Sequence, residues 1–210
     1  SFFNQIGMGY SLCKGGIYNH ALGTAFLAEK LATLTRQTDP SLAYTAGLLH
    51  DIGKVGTPDA LLLKPGELTE EEFDIIKRHT VMGGNALNVI ESQIEGKSFL
   101  AIGKEIAYNH HEKWDGSGYP KGLKGEEIPL SARIIAIADV YDALTTKRFY
   151  KEAYSHEKAK SMIIRLKGQH FDPEIVKAFV AIEAKFNRVR KEKLREDKAF
   201  AQQRARAVGH

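Results

Sequence analysis

This sequence predicts an all-α single domain of about seven helices, and three observations carry that reading. Apolar residues recur at helical spacing in one segment after another. Helix-start signals stand at the heads of those segments: Thr69-Glu-Glu-Glu72, Ser155 and Asp172-Pro173. The β-branched and aromatic alternation that marks strands is nearly absent. The chain has 210 residues, 43% of them hydrophobic, enough for one sizeable core.

Residues 1–15 read as a lead-in segment. The domain proper spans 16–182, and 183–210 form a basic helical tail. The first helix covers 18–36, with Ala21, Ala25, Leu27, Ala28 and Leu31 as its apolar stripe. Ser41 is the expected N-cap of a second helix running to about Ile52, where Gly53 and Gly56 break it. Residues 55–67, with Pro58 and Pro65, read as a loop. The Thr69 to Glu72 capping box opens a helix from Glu70 to about Ile90. Another runs from about Phe99 to Asn109. Residues 112–128 hold five glycines or prolines and no apolar period, so they form a long loop, the kind of segment that carries function. Pro129 fits the first position of a helix reaching about Thr145. Ser155 caps the next helix, and Asp172-Pro173-Glu174 starts the last.

Composition excludes several classes. One cysteine, Cys13, rules out an intrachain disulfide framework and points to a reducing, cytoplasmic setting. No apolar run reaches the ~18–20 residues of a membrane span, and no signal peptide opens the chain. The net charge of +4 is uneven: residues 185–210 hold nine Lys and Arg against three acidic residues, so the remainder is slightly acidic. In that tail opposite charges interleave (Lys191, Glu192, Lys193, Arg195, Glu196, Asp197), as on a solvated helix end, and no nucleic-acid polymer is expected as a partner.

The chemistry-bearing residues interrupt apolar helices. His50 and Asp51 end the run Tyr44-Thr-Ala-Gly-Leu-Leu, where an unpaired carboxylate is expensive to bury. A divalent metal removes that cost, since imidazole offers a neutral nitrogen and a carboxylate can bridge two ions. Asp139 sits in Ile134-Ile-Ala-Ile-Ala-Asp-Val-Tyr-Asp142, and Asp142, three residues on, shares its face. Alone, His20 and His79 read equally as ordinary core or surface histidines. His110 and His111 lie about 100° apart on a helix, so both can serve one site only if it is broad. A centre with two metals about 3.5–4 Å apart is broad enough. Lys54, four residues after His50, places a cation beside such a centre and suggests a bound phosphate. Arg148 and Lys151 are further phosphate candidates.

At this point the sequence resembles the HD superfamily of metal-dependent phosphohydrolases, through His20, His50-Asp51 and Asp139. Further motifs narrow the resemblance to the HD-GYP family: His50-Asp-Ile-Gly-Lys54, Pro58-Asp-Ala-Leu-Leu-Leu-Lys-Pro-Gly66, His79-Thr-Val-Met-Gly83, His110-His111-Glu-Lys-Trp-Asp-Gly-Ser-Gly-Tyr-Pro120, Gly122-Leu-Lys-Gly125, Ile137-Ala-Asp-Val-Tyr-Asp-Ala-Leu-Thr145 and Phe171-Asp-Pro173. The resemblance covers roughly residues 16–182. It implies an HD-type helical bundle with a Gly/Pro-rich active-site loop, acting as a phosphodiesterase on cyclic di-GMP. The products would be the linear dinucleotide, GMP or both.

Carried over by position, His20, His50, Asp51, His79, His110, His111 and Asp139 would be metal ligands, with Asp51 bridging. Lys54 would touch the scissile phosphate, and Arg148 and Lys151 would hold another phosphate. Tyr119 would border the substrate. The resemblance suggests two divalent ions, iron or manganese, while the donor set also suits zinc, cobalt or nickel. Water activated between the ions would attack phosphorus in line. Asp142, or a water it holds, is the candidate for helping the leaving oxygen. Tyr119, Tyr150 and Trp114 are candidates to stack a guanine, with Trp114 better read as a loop anchor.

Two departures from the family pattern matter. Gly16 stands where some members carry a Glu for a third metal, so two are expected. Arg148-Phe-Tyr-Lys151 stands where many have Arg-Pro-Tyr-Lys, and the charged ends survive. The competing readings are hydrolysis of another nucleotide, such as a mixed cyclic dinucleotide, and a catalytically silent nucleotide-binding signalling module. A regulatory domain would lie outside this chain, and the long last helix is a candidate for homodimer pairing.

Overall fold

The structure, a computed structural model, describes residues 16–36, 38–94, 99–146 and 153–208. Among these the chain forms eight α-helices: α1 (Gly16–Thr35), α2 (Pro40–Leu49), α3 (Asp59–Leu62), α4 (Glu70–Glu91), α5 (Leu100–Asn109), α6 (Leu130–Thr145), α7 (His156–Arg165) and α8 (Pro173–Val208). Two 3-10 turns, Ile52–Gly56 and Gly125–Glu127, complete the set. There is no strand among the described residues, only an isolated bridge between Lys167 and Phe171.

The sequence signals hold in most places and slip in a few. Thr69 and Glu72 form the expected reciprocal capping box, and Ser155 accepts from the Lys158 amide. Ser41 is not a cap. Asp39 takes that position, its carboxylate accepting the Ser41 amide at 2.8 Å, and Pro40 supplies the fixed φ of the first helical residue. The second helix stops at Leu49 rather than Ile52, and the chain tightens into the first 3-10 turn. Pro129 precedes its helix instead of opening it. The segment 55–67 contains a single helical turn, α3, too short to show a period; it makes eight helices of the expected seven.

Helix α6 runs through the middle. Ile134, Ile135, Ile137 and Leu144 are fully buried, and α1, α5, α7 and α8 pack around it. Because every side of α6 is covered, Asp139 and Asp142 are buried as well. Helix α8 departs from helical dihedrals at Ile182. On either side of this kink Phe179 and Phe186 pack against Tyr141, with centroids 5.9 and 5.1 Å away. Phe186 lies beyond residue 182, in the expected tail, and is fully buried. His156 bonds the Tyr141 hydroxyl at 2.8 Å and contacts Glu183, tying α6, α7 and α8 together.

Helices α4 and α5 pack as a pair on the other flank, and the first 3-10 turn lies on α4. Gly53 makes that approach: a Cβ there would stand 1.9 Å from the His79 carbonyl oxygen and 2.5 Å from the Gly83 amide nitrogen. Only glycine lets the turn that follows His50-Asp51 lie so close to the helix that carries His79.

Candidate metal centre

Five elements bring seven side chains to one point. Helix α1 supplies His20, the end of α2 supplies His50 and Asp51, α4 supplies His79, the end of α5 supplies His110 and His111, and α6 supplies Asp139. Six of them are buried to 6% exposure or less. Their donor atoms form two groups, each gathered within 4.8 Å: His20, His50 and Asp139, and Asp51, His79, His110 and His111.

Asp51 lies between the groups. Its Oδ2 is 3.3 Å from His50 Nε2 and 4.0 Å from His20 Nε2. Its Oδ1 is 3.4 Å from His79 Nε2 and 3.7 Å from His110 Nε2. Burial pushes the Asp51 carboxyl up, but Lys54 and His50 overcome it and hold it well below the ordinary carboxylate value. The Lys54 ammonium, itself buried, stands 2.5 Å from Asp51 Oδ2. Burial likewise opposes ionisation of Asp139, and the His20 bond with the nearby histidine charges brings it far below its ordinary value.

The backbone fixes the tautomers. Nδ1 of His50, His79 and His110 lies 2.7, 2.7 and 2.9 Å from the carbonyls of Gly47, Ile76 and Ile106. A carbonyl only accepts, so each Nδ1 is the donor, and in the neutral ring Nε2 presents a lone pair to the centre. His79 Nε2 and His110 Nε2 face each other at 3.4 Å. Two lone pairs at that distance repel unless a cation or proton sits with them. Burial brings His110 down to about 4, so at neutral pH the ring is neutral, with its one proton on Nδ1 and none on Nε2. His50 Nε2 is buried without a hydrogen bond. This donor set fits divalent cations better than it fits protons.

Asp142 is placed behind this surface. Its Oδ2 is 2.7 Å from His20 Nδ1, while His20 Nε2 is 3.0 Å from Asp139 Oδ1. The two carboxylates of α6 thus take the two nitrogens of one imidazole. The outer bond sets its tautomer, as in carboxylate–histidine–metal arrangements.

The loop 110–129 closes one side. Glu112 is buried and accepts the Lys121 and Leu123 amides at 2.8 and 3.0 Å. Gly118 lies against the Glu112 backbone, where a Cβ would sit 2.5 Å from Glu112 Cα. The fold-back sets the Tyr119 ring 4.8 Å from the His111 ring, tilted 31°. Burial, then the charges of Asp51 and Asp139, push the Tyr119 phenol well above its ordinary value, so it stays neutral. Trp114 is an anchor: its amide donates to the His170 carbonyl at 3.2 Å, and Arg133 lies over its ring. Arg148, Tyr150 and Lys151 lie outside the described residues.

Comparison with known proteins agrees with this architecture. A family model described as HD domain matches residues 14–175. This chain belongs to the HD domain family. A cyclic di-GMP phosphodiesterase of Vibrio cholerae is 55% identical over 166 residues, covering 76% of this chain and 34% of that protein. A 3'3'-cGAMP-specific phosphodiesterase of the same organism is 41% identical over 174 residues, covering 79% and 32%. The chain thus spans about a third of the length of these relatives. Among solved structures, an HDG"Y"P protein from Bdellovibrio bacteriovorus shares the fold, with a TM-score of 0.62 at 23% identity over 88% of this chain and 55% of that one. The HD-GYP resemblance carried by the motifs is the one these relatives bear out, and the HD domain is a divalent-metal-dependent phosphohydrolase fold.

Three residues at this site went unassigned in the sequence. Glu112 stands inside the His-His-Glu motif, yet nothing in the pattern separates a loop-folding carboxylate from a ligand. Phe73 and Lys77 lie one turn apart on α4 ahead of His79. The i, i+4 spacing was legible, but the approach of Tyr119 was not.

Proposed function

We propose that this chain is the catalytic domain of a cyclic di-GMP phosphodiesterase that yields the linear dinucleotide, GMP or both. The carrying observation is Asp51, whose two oxygens face two separate groups of histidines. That arrangement suits a pair of divalent ions sharing one carboxylate. His20, His50 and Asp139 would hold one ion and His79, His110 and His111 the other. Iron or manganese is the favoured metal, and zinc, cobalt and nickel fit the same donors.

Two such ions, when bound, supply Lewis acidity to the phosphodiester and lower the pKa of water. The chain's own residues do the rest. Lys54 sets a positive charge beside the shared carboxylate, where a phosphate oxygen gains charge in the transition state. Asp142 keeps His20 in the tautomer that turns Nε2 inward. Tyr119, neutral and lodged over His111, walls the site and limits water on that side. Arg148 and Lys151 are the proposed holders of the second phosphate.

Anaerobic purification, elemental analysis and incubation with cyclic di-GMP test this reading. About two metals per chain with hydrolysis is the expected result. Two metals without hydrolysis in iron, manganese and other reconstitutions would overturn it in favour of another phosphoester or a binding role. A second reading, hydrolysis of a mixed cyclic dinucleotide, is favoured by the 41% identical relative, and parallel assays with both nucleotides separate the two.

A further inference from the structure

The rim of the metal centre carries an aromatic corner of which the chemistry above uses only Tyr119. Tyr119, lodged over His111, meets Phe73 of α4 edge-on, with ring centroids 5.8 Å apart and planes at 88°. The Lys77 ammonium, one turn further along α4, lies in the angle between them. It is 4.7 Å from the Phe73 centroid and 6.0 Å from that of Tyr119. Phe73 is half-buried, and Lys77 reaches solvent while pairing with the exposed Asp74. From His111 outward the order is therefore ligand imidazole, phenol, phenyl and ammonium.

A cyclic dinucleotide with one phosphate at the metals must send its bases outward across the rim. A planar purine can stack on an aromatic face, and such stacking tolerates any base. Selectivity comes from the edge. Guanine presents two acceptors, N7 and O6, whereas adenine pairs its N7 acceptor with the N6 amino donor. An ammonium donates only. A lysine swung from the aromatic corner to the edge of a stacked base therefore matches guanine and meets a like donor on adenine.

On this basis we infer that Phe73, Lys77 and Tyr119 form a guanine-selective purine subsite, with Phe73 as the stacking face and Lys77 as the reader of O6 and N7. The inference rests on the cyclic-dinucleotide reading above and gives it a source of base selectivity.

The test uses the metal-loaded chain with Phe73→Leu, Phe73→Tyr and Lys77→Met. Leucine fills the half-buried position without a π face, tyrosine keeps the ring, and methionine keeps the length of Lys77 without its charge. Calorimetry with cleavage-resistant phosphorothioate analogues of cyclic di-GMP and cyclic di-AMP reads binding apart from turnover. Phe73→Leu should weaken the guanine analogue about tenfold, the scale of one lost base stack, while Phe73→Tyr stays within about twofold of the wild type on the same stacking argument. Lys77→Met should bring the guanine-to-adenine preference close to unity. The kcat/KM ratio of cyclic di-GMP over bis(p-nitrophenyl) phosphate, a diester without bases, should fall in Phe73→Leu by the same factor. If the wild type binds the guanine analogue and all three variants match it in affinity and preference, the subsite is overturned and the phosphodiesterase reading stands. If the wild type binds neither analogue yet cleaves the base-free diester, the cyclic-dinucleotide reading falls, and the subsite with it.

Discussion

The two oxygens of Asp51 face different partners, and this makes its removal unlike that of its neighbours. Asp51→Asn keeps the volume but removes the charge that both groups of histidines share, so both ions and activity should be lost together. Lys54→Met leaves the donors in place. It should keep about two metals per chain and lose on the order of 100-fold in kcat, the scale for one removed cation at a developing charge. Elemental analysis beside kinetics on cyclic di-GMP reads both variants, and normal turnover by Lys54→Met would exclude the role given to that lysine. Asp142 can be judged the same way. Its bond to His20 Nδ1 predicts that Asp142→Ala weakens metal binding about 10- to 100-fold, the usual cost of a lost outer partner, with kcat recovering at saturating metal. A kcat that stays low with the site filled would instead restore the proton-handling role first assigned to it. The residue scale is also where the sequence was most legible. An Asp inside the run Ile134–Tyr141, or just past the end of Tyr44–Leu49, needs a partner whatever the fold, and that argument alone singles out Asp139 and Asp51.

Helices and turns decide whether those partners meet, and here the sequence said less. Caps were readable because they are local: Thr69 needs only Glu72, and Ser155 only Lys158. The error at Ser41 was also local, since Asp39 lies two residues upstream and caps the Ser41 and Leu42 amides itself, so the helix has already begun at Pro40. Close approach is not local. Nothing in Ile52-Gly53-Lys54 says that Gly53 will face the His79 carbonyl, and this approach sets the distance between Asp51 and the α4 histidine. Gly53→Ala would drive a methyl group into the α4 backbone, which cannot yield as a side-chain tip can. Overpacking of this kind costs about 1–3 kcal/mol, or about 2–4 °C in Tm per kcal/mol for a chain of this size. Thermal melting of the metal-free protein should show that loss, and metal titration should show weaker binding as the turn moves off α4. A melting point equal to that of the wild type would mean that the turn has room to shift.

At the scale of the molecule the helices share one consequence, a cluster of histidines held neutral by burial. His110 is brought down to about 4, and His170 as well, each chiefly by burial. His111 is also driven well below its ordinary value, by burial and then by the charges of His110 and His79. A histidine whose folded pKa lies below its unfolded value near 6.5 binds its proton more readily in the unfolded chain. Its contribution to stability is complete above about 6.5, declines as pH falls, and is gone below the folded value near 4. For His110 alone the span corresponds to about 3 kcal/mol. His50 runs the other way. Burial pulls it down, but the charge of Asp51, then that of Asp139, leave it above its ordinary value, so it favours the fold in acid. Asp51 and Asp139, both lowered, contribute fully above the ordinary carboxylate range and begin to be lost only below it. Three depressed histidines against one raised leave a net loss of stability in the metal-free chain between pH 6.5 and 4. Ligands must shed protons to bind metal, so loading should raise Tm more at pH 7.5 than at pH 5.5. Urea unfolding of the metal-free protein across pH 4–8 measures the first, and thermal melting of the metal-free and loaded protein at pH 7.5 and 5.5 the second. A flat profile for the metal-free chain between 6.5 and 4 would mean that these imidazoles keep their protons in the fold, and the lone-pair argument for the centre would fail with them.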